Sequence, residues 1–581
     1  MSTGGSGAST SHLKRHARGC NQKKLQTVAE TRQVIIPFQP SKSSNPFIST
    51  GVRYSNEKMR EIIAIAIMVH EYPFSVVEDD IRMWGFQYAN PDFHKVTHKT
   101  ARNDCLAIFG MEKKILKKFL ESVSKISLTT DMWKSSHQVV EYMVITRHFI
   151  DAGCNLQKRV LGFVKVPPPR RGIDVADAIY KCLKTWGIEN KVFSVSVDNA
   201  SYNDSCLRRL KDNLSLSSKL IFGGSLFHVR CCAHILNLLV QDVLSKIKDT
   251  IFNICESVKY VNHNDARLKA FCDVVEQKRL KERKLVIDYP TRWNSTFNML
   301  STALKFKIAF AAYKEKEPHY NHTPSLEEWN KVEKVCKLLE VFNGATHVIS
   351  GSEYQTANLY LAEVWKVKQI LDKTDEDEDL FMKEMVQFHM VCICFPLIYK
   401  SKEVVDENIK KVRSSLEELY DEYLALSLEE SLSPIVNLDS NNLSSSQENA
   451  AIITGFDEIL SILRENETVL LVKSELQDYL DEGIYVLKTK SFCALDWWRN
   501  NSMKYKILSK MAADVLVIPI SIVASESTFS AGGRVIDEFR FKLNEESVEA
   551  LICGRDWFCH KYNVKKKSKV DKQAIQITLK V

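Results

Sequence analysis

From Glu57 to about Leu120 the apolar residues recur with a helical period, and Met59, Ile62, Ile63, Ala66, Ile67 and Val69 form one face. Tyr72-Pro73 ends the first helix, because the residue before a proline is pushed out of the helical region. The pattern then changes to strands. Residues 126–130 (Ile-Ser-Leu-Thr-Thr), 142–150 and 159–166 predict three strands that can meander. After Pro167-Pro168-Pro169 a helix is predicted from about Asp174 to Trp186, with Val175, Ala178, Ile179 and Leu183 on one face and Gly187 as its stop. A fourth strand, 192–197, follows.

Three strands, a helix and a returning strand leave few topologies. A right-handed crossover sets the fourth strand parallel to the first. Asp131, just past the first strand, and Asp198, just past the fourth, then stand at neighbouring carboxyl ends, where open sheets bind ligands. This order, with the two acids, is that of a ribonuclease H-like fold. Beyond Asp198 helices dominate to about residue 425, Ala233 to Leu244 and Leu326 to Phe342 among them, and a Ser/Asn/Asp-rich loop at 432–449 reads as mobile. Farther on, Leu508, Met511, Ala512, Val515 and Leu516 make an apolar helical stripe that would serve an internal core or a partner. The apolar run Val515 to Ile520 then delivers Glu526 into a setting of small side chains. The expected class is α/β, with a ribonuclease H-like core interrupted by a large all-α insertion.

Asp131, Asp198 and Glu526 suit a magnesium site for two-metal phosphoryl transfer, since hard cations take carboxylate oxygens from separate elements. Taken singly, Asp131 and Asp198 would serve as well as helix caps.

Composition narrows the partners. In 581 residues with 45% hydrophobic content there is material for two to four domains. The net charge of +8 is modest for this length, so attraction to a polyanion rests on local clusters. The clearest are Lys14-Arg15-His16 with Lys23-Lys24, then Lys278, Arg279, Lys281, Arg283 and Lys284, and the tail Lys565 to Lys569; each reads equally as a solvated loop. Fifteen cysteines without framework spacing point to a reducing compartment, and no apolar run approaches the roughly 20 residues that span a bilayer. Residues 1–50 read as a disordered tail. In it, His16 and Cys20 fit the second half of a zinc site whose first half is missing, so zinc is expected only if a longer product supplies that half.

The segments Thr130-Asp131-Met132-Trp133, Val197-Asp198-Asn199-Ala200-Ser201-Tyr202-Asn203-Asp204, Arg230-Cys231-Cys232-Ala233-His234, Pro290-Thr291-Arg292-Trp293-Asn294-Ser295-Thr296 and Ala524-Ser525-Glu526-Ser527-Thr528-Phe529-Ser530 together resemble the hAT transposase superfamily. Within it they look like the plant RICESLEEPER and DAYSLEEPER group, over most of residues 10–560. The resemblance implies that Asp131, Asp198 and Glu526 are the acidic triad, with Mg2+ as cofactor if the chain is catalytically active. It implies that Cys231 and His234 are the Cys-x-x-His element, with a supporting role beside the acids. It makes Trp293, next to Arg292, the tryptophan that stacks on a base displaced from the duplex; a core tryptophan is the competing reading. Residues 11–20 resemble the end of a BED-type zinc finger.

The implied map is a tail (1–50), a helical region (51–120), the first part of the core running into helices (121–320), a helical insertion (321–490), a carboxy-terminal dimerisation region completing the core (491–560) and a basic tail (561–581). The partners are DNA and further copies of the chain, with no membrane and no small-molecule substrate; the compartment is the nucleus. Two activities fit: a transposase-derived DNA-binding regulator, or an active cut-and-paste enzyme. A non-functional transposon relic is the third.

Overall fold

The computed structural model describes residues 54–375 apart from 136–137, 139, 218, 282–283 and 289–292, then 379, 381–383, 402–432, 474–483, 492–564 apart from 539 and 541, and 576–578. His16, Cys20, Arg283, Arg292, residues 433–449 of the expected 432–449 loop and the lysine run from 565 lie outside the described residues, whereas Leu432 ends a helix. The chain forms two compact units, residues 1–113 with 546–565, and 114–545 with 566–581.

In the first unit, α1 (Asn56–His70) begins at Ser55, whose hydroxyl accepts the Lys58 amide, and ends at Glu71 in the left-handed region (φ 58°). Its buried face is Ile63, Ala64, Ile67 and Met68; Ile62, placed on that face by periodicity, is 51% exposed. The Ile-Ile-Ala-Ile-Ala-Ile run is apolar on every side, so spacing alone does not orient it. The unit continues with α2 (Asp80–Ala89) and the start of α3 (His98–Glu121). Most of α18 (Glu545–Lys561) joins it, where Trp557 stacks on Phe109 at 4.7 Å between ring centroids.

The second unit holds the sheet. β1 (Ile126–Lys134), β2 (Glu141–Ile150), β3 (Leu156–Val166), β4 (Val192–Val197) and β5 (His228–Arg230) lie in the order β3-β2-β1-β4-β5. β1 pairs antiparallel with β2 and parallel with β4, and β4 pairs parallel with β5. The crossover α4 (Gly172–Trp186) places β4 beside β1, as expected, and Gly187 closes it at φ 69°. Trp186 ties α4 to the sheet by donating its indole N–H to the Leu161 carbonyl at 3.0 Å. The three-residue strand β5 was not expected: it is too short to carry a periodic signal. β1 is also longer than its apolar run, so Asp131 sits inside it, opposite Val144 of β2, rather than beyond its end. Its parallel pairing with β4 stops at Thr129, so Asp131 still lies past that neighbour.

α5 (Ser201–Ser215) follows β4 and packs on α4. The helices α6 (Cys232–Ser245), α7 (Lys248–Val261), α8 (Asp265–Gln277), α9 (Trp293–Leu304), α10 (Lys307–Lys316), α11 (Leu326–Ile349) and α12 (Ala357–Asp375) build one continuous apolar core of their own. A two-stranded pairing of β6 (Lys284–Val286) with β7 (Gln576–Thr578) accompanies them. α13 (Lys402–Leu432), α14 (Glu475–Asp481), α15 (Ala494–Asn501), α16 (Lys506–Leu516) and α17 (Val523–Val535) complete the unit. In α16, Leu508, Met511 and Ala512 of the expected stripe are buried. Among the described residues no helix is long and apolar enough to cross a membrane. The fold is α/β with a ribonuclease H-like strand order and a large helical insertion.

Candidate nucleic-acid-processing site

Side chains alternate across a strand, so Ser127, Thr129, Asp131 and Trp133 of β1 share one face, and Ser194 and Ser196 of β4 share a face in the same way. Hydroxyls dominate this face, and residues 519–532 cover it. Ser196 donates to the Pro519 carbonyl, Thr129 and Ser525 are hydrogen-bonded through their hydroxyls at 2.9 Å, and Thr146 of β2 reaches Ser525 at 3.2 Å. Ser525, Phe529 and Gly532 follow a helical i, i+4, i+7 spacing, so α17 lays one stripe along β1. Phe529 stacks on Trp133 with centroids 6.2 Å apart. Gly532 permits the approach, since a Cβ there would stand 3.1 Å from the Trp133 ring and 3.3 Å from Phe163. Asp131 lies between these two anchor points, and Glu526 lies next to the first.

The acids are thereby gathered from three remote segments. Burial raises Asp131 from 3.8 to about 7, a bond from the Met132 amide at 2.7 Å opposes this, and the nearby carboxylates of Glu526 and Asp198 add to the rise. Mutual repulsion of this kind identifies groups that share one region of space. Asp198 also has a local role. Its carboxylate accepts the Ala200 amide at 3.2 Å and the side-chain amide of Asn203, whose Nδ2 also donates to the Asp198 carbonyl at 3.0 Å. The capping interpretation therefore applies in part to Asp198, at the start of α5, and not to Asp131, which caps nothing. Tyr202, one residue before Asn203, has its hydroxyl raised mainly by burial and then by Asp198 and Asp131. The motif read from sequence contains Tyr202 and Asn203 but gives them no role, although both fall in the first turn after the acid, where a side chain can reach back to it.

Three carboxylates with no sulfur or imidazole among them match the oxygen preference of magnesium. Among the described residues no group of three or more His, Cys, Asp or Glu side chains is placed so that it could hold a metal ion by itself. This is compatible with magnesium chemistry, in which one or two carboxylates are completed by water and substrate phosphate oxygens.

Cys231 belongs to the same neighbourhood. Its amide donates to Val197 O at 2.8 Å, its Sγ accepts the Ile522 amide at 3.4 Å, and the adjacent Cys232 amide donates to Ile520 O at 2.9 Å. Burial pushes the Cys231 thiol up to about 11, and the charge of Glu526 contributes. The protonated thiol thus acts as a packing and hydrogen-bonding group that ties the start of α6 to the segment leading into Glu526. His234, three residues on, is half-buried in the first turn of the same helix.

Trp293 requires a correction. The base-stacking reading needs an open indole face, but this side chain is 4% exposed and sits in the helical core, its ring 6.5 Å from Phe297. Trp293, Thr296, Phe297 and Leu300 fall on one side of α9 at i, i+3, i+4, i+7, and all four are buried. Trp293→Ala is accordingly expected to cost about 3–5 kcal/mol of stability, with Trp293→Phe much milder. Urea unfolding checks this; an unchanged midpoint together with weakened DNA binding would restore the stacking role. Lys278, Arg279, Lys281 and Lys284 are all exposed, around the end of α8 and the start of β6, and make a basic surface segment.

Residues 129–226 match the ZBED1 RNase-like domain, 229–338 the ZBED1 RNase-like helical domain, and 475–558 the hAT family C-terminal dimerisation region. The zinc finger BED domain-containing protein RICESLEEPER 2 of Oryza sativa subsp. japonica is 31% identical over 96% of this chain and 84% of its own length. DAYSLEEPER of Arabidopsis thaliana is 31% identical over 96% of this chain and 83% of its own. A putative AC transposase of Zea mays is 32% identical over 85% of this chain and 64% of that protein. The matches follow one another in the order in which the chain builds its sheet, its helical insertion and its carboxy-terminal segment, and the chain belongs to the hAT transposase superfamily, with the plant RICESLEEPER and DAYSLEEPER proteins.

Proposed function

We propose that this chain is a nuclear, dimerising DNA-binding protein whose acidic site supports magnesium-dependent cleavage and joining of DNA phosphodiesters. The observation that carries the reading is the docking of Ser525, the neighbour of Glu526, on Thr129, two residues before Asp131, with the charges of Glu526 and Asp198 adding to the rise at Asp131. Asp131 and Glu526 would hold the ions, with Asp198 completing the set. Bound there, magnesium would polarise the phosphodiester and stabilise the leaving oxygen. Asn203 holds Asp198 in place, and the 519–526 segment places Glu526 against β1. Dimerisation is supported by the matched carboxy-terminal region, and DNA as substrate by relatives named as zinc finger BED domain-containing proteins and a putative transposase.

The test is strand cleavage of labelled random and inverted-repeat duplexes in Mg2+ or Mn2+. Divalent-dependent nicks that Glu526→Gln removes are the expected result. A second reading, a transcriptional regulator that binds DNA without cutting it, is favoured by the engagement of the Asp198 carboxylate with Ala200 and Asn203. It predicts binding without nicks.

The exposed Lys278, Arg279, Lys281 and Lys284 lead to a separate expectation. Binding through phosphate contacts releases counterions and carries no base readout. With about six such contacts, affinity should fall roughly 10³-fold between 50 and 200 mM salt. Fluorescence titrations of random and inverted-repeat duplexes check this: a strong sequence preference that persists at high salt would locate base readout elsewhere in the chain.

A further inference from the structure

We infer that the buried hydroxyl and imidazole groups of Thr129, Thr146, His148 and Ser525 form a clasp that sets the position of Glu526, making Thr129 and Ser525 positioning residues for divalent-ion binding. The inference rests on the proposed reading of the three acids.

Thr129 and Ser525 are fully buried, and Thr146 and His148 nearly so. The Thr129 hydroxyl sits at the centre, 2.9 Å from Ser525 Oγ and 3.2 Å from His148 Nε2, while Thr146 Oγ1 stands 3.2 Å from Ser525 Oγ. His148 remains neutral, because burial and then the cations of Lys158 and Arg147 hold its imidazole down to about 3. A neutral ring can accept as well as donate, so the chain of hydroxyls can be satisfied without a buried charge.

Residues 519–522, which lead into α17, are bonded to Ser196, Cys231 and Cys232; the clasp adds a tie inside the helix's first turn, one residue before Glu526. The N-cap of α17, Ile522, offers no side-chain bond. A serine in a first turn ordinarily serves its own helix or points to solvent, whereas this one points into the sheet. Apolar contacts such as that of Ala524 tolerate sliding and rotation; hydrogen bonds to two strands do not. Since successive helical residues are about 100° apart, a modest rotation of α17 would swing Glu526 away from Asp131. The other end is held by Phe529 and Gly532 on Trp133, so loss of the clasp loosens the first turn, where Glu526 lies, more than the rest of the helix.

The test uses the full chain with Mn2+ as probe, its free fraction read by electron paramagnetic resonance, and amide hydrogen exchange of the 520–530 segment. The variants are Ser525→Ala, Thr129→Val, the hydroxyl-retaining Thr129→Ser, Asp131→Ala as the site control, and Ser127→Ala. Ser127 lies on the same buried face, but its partner is Ser194, at 2.8 Å. Ser525→Ala and Thr129→Val should weaken Asp131-dependent Mn2+ binding by about 10–100-fold, the range found when supporting partners of metal ligands are removed. They should also accelerate exchange in α17, whereas Thr129→Ser and Ser127→Ala do neither. If Mn2+ binding vanishes in Asp131→Ala but Ser525→Ala and Thr129→Val bind like wild type, the clasp is overturned and the metal reading stands. If wild type and Asp131→Ala bind alike, the metal reading itself fails and the clasp with it. An equal loss in Ser127→Ala would reduce the effect to general destabilisation. Should Ser525→Ala fail to fold, the Thr129→Val and Thr129→Ser pair decides.

Discussion

Replacing Asp131 by asparagine is expected to make the protein more stable at pH 8 while abolishing divalent-dependent cleavage. In the unfolded chain Asp131 ionises near 3.8, but in the fold burial and the neighbouring carboxylates hold it to about 7. Between those values the folded state carries a proton that the unfolded state has lost, so stability falls as pH rises through the window, by up to about 1.4 kcal/mol per pH unit. Below 3.8 both states are protonated and the penalty is absent; above about 7 it is fully present. Asparagine keeps the shape and removes the charge. The gain should therefore be roughly 2–4 kcal/mol at pH 8 in chelator-containing buffer and close to zero at pH 4. Chemical denaturation at the two values reads it directly. Cleavage should drop by at least about 10²-fold, the scale for removing one group that stabilises developing charge. A variant destabilised at pH 8 would mean that Asp131 is held by favourable partners and is not a repelled, buried acid. Stability traded for function in this way is a common property of sites that hold like charges together.

Gly172→Ala should be among the most damaging single-methyl additions. A Cβ at Gly172, the first residue of α4, would stand 2.0 Å from Ser205 Oγ, 2.7 Å from the Tyr202 carbonyl oxygen and 2.8 Å from the Cys206 amide nitrogen. The serine hydroxyl can rotate away; the two backbone atoms of α5 cannot. The helices must separate, at a cost of about 1–3 kcal/mol or more. The damage extends to the site because Tyr202 and Asn203 occupy the first turn of α5 and Asn203 holds Asp198. A lower urea midpoint together with weakened Mn2+ binding is expected. An unchanged midpoint would mean that α4 and α5 sit farther apart than described.

The strand order was legible from sequence because each of the first four strands is an apolar-rich run of five or more residues, the last two joined by an unmistakable helix, and the crossover rule leaves a single placement for β4. The three-residue β5 carried no such signal. Asp131 and Asp198 were legible as acids at strand ends, although β1 extends past Asp131: the charge at Asp131 breaks the apolar pattern, yet Met132, Trp133 and Lys134 remain paired with β2. Trp293 shows the opposite limit. The family resemblance implied a base-stacking face, but the spacing to Thr296, Phe297 and Leu300 turns it into the helical core.

What the sequence determined by itself was local and periodic: which segments are strands or helices, where α4 stops, and which carboxylates follow the apolar runs. Only the tertiary structure decided that Glu526, 328 residues after Asp198, stands beside Asp131. That proximity depends on Ser525 meeting Thr129 and Thr146, on Gly532 admitting Trp133, and on the 520–522 backbone joining Cys231 and Cys232. Each of these is a contact between residues far apart in the chain, fixed by distance and hydrogen-bond geometry. Periodicity records which face of an element is apolar, and carries no information about which distant element will cover it.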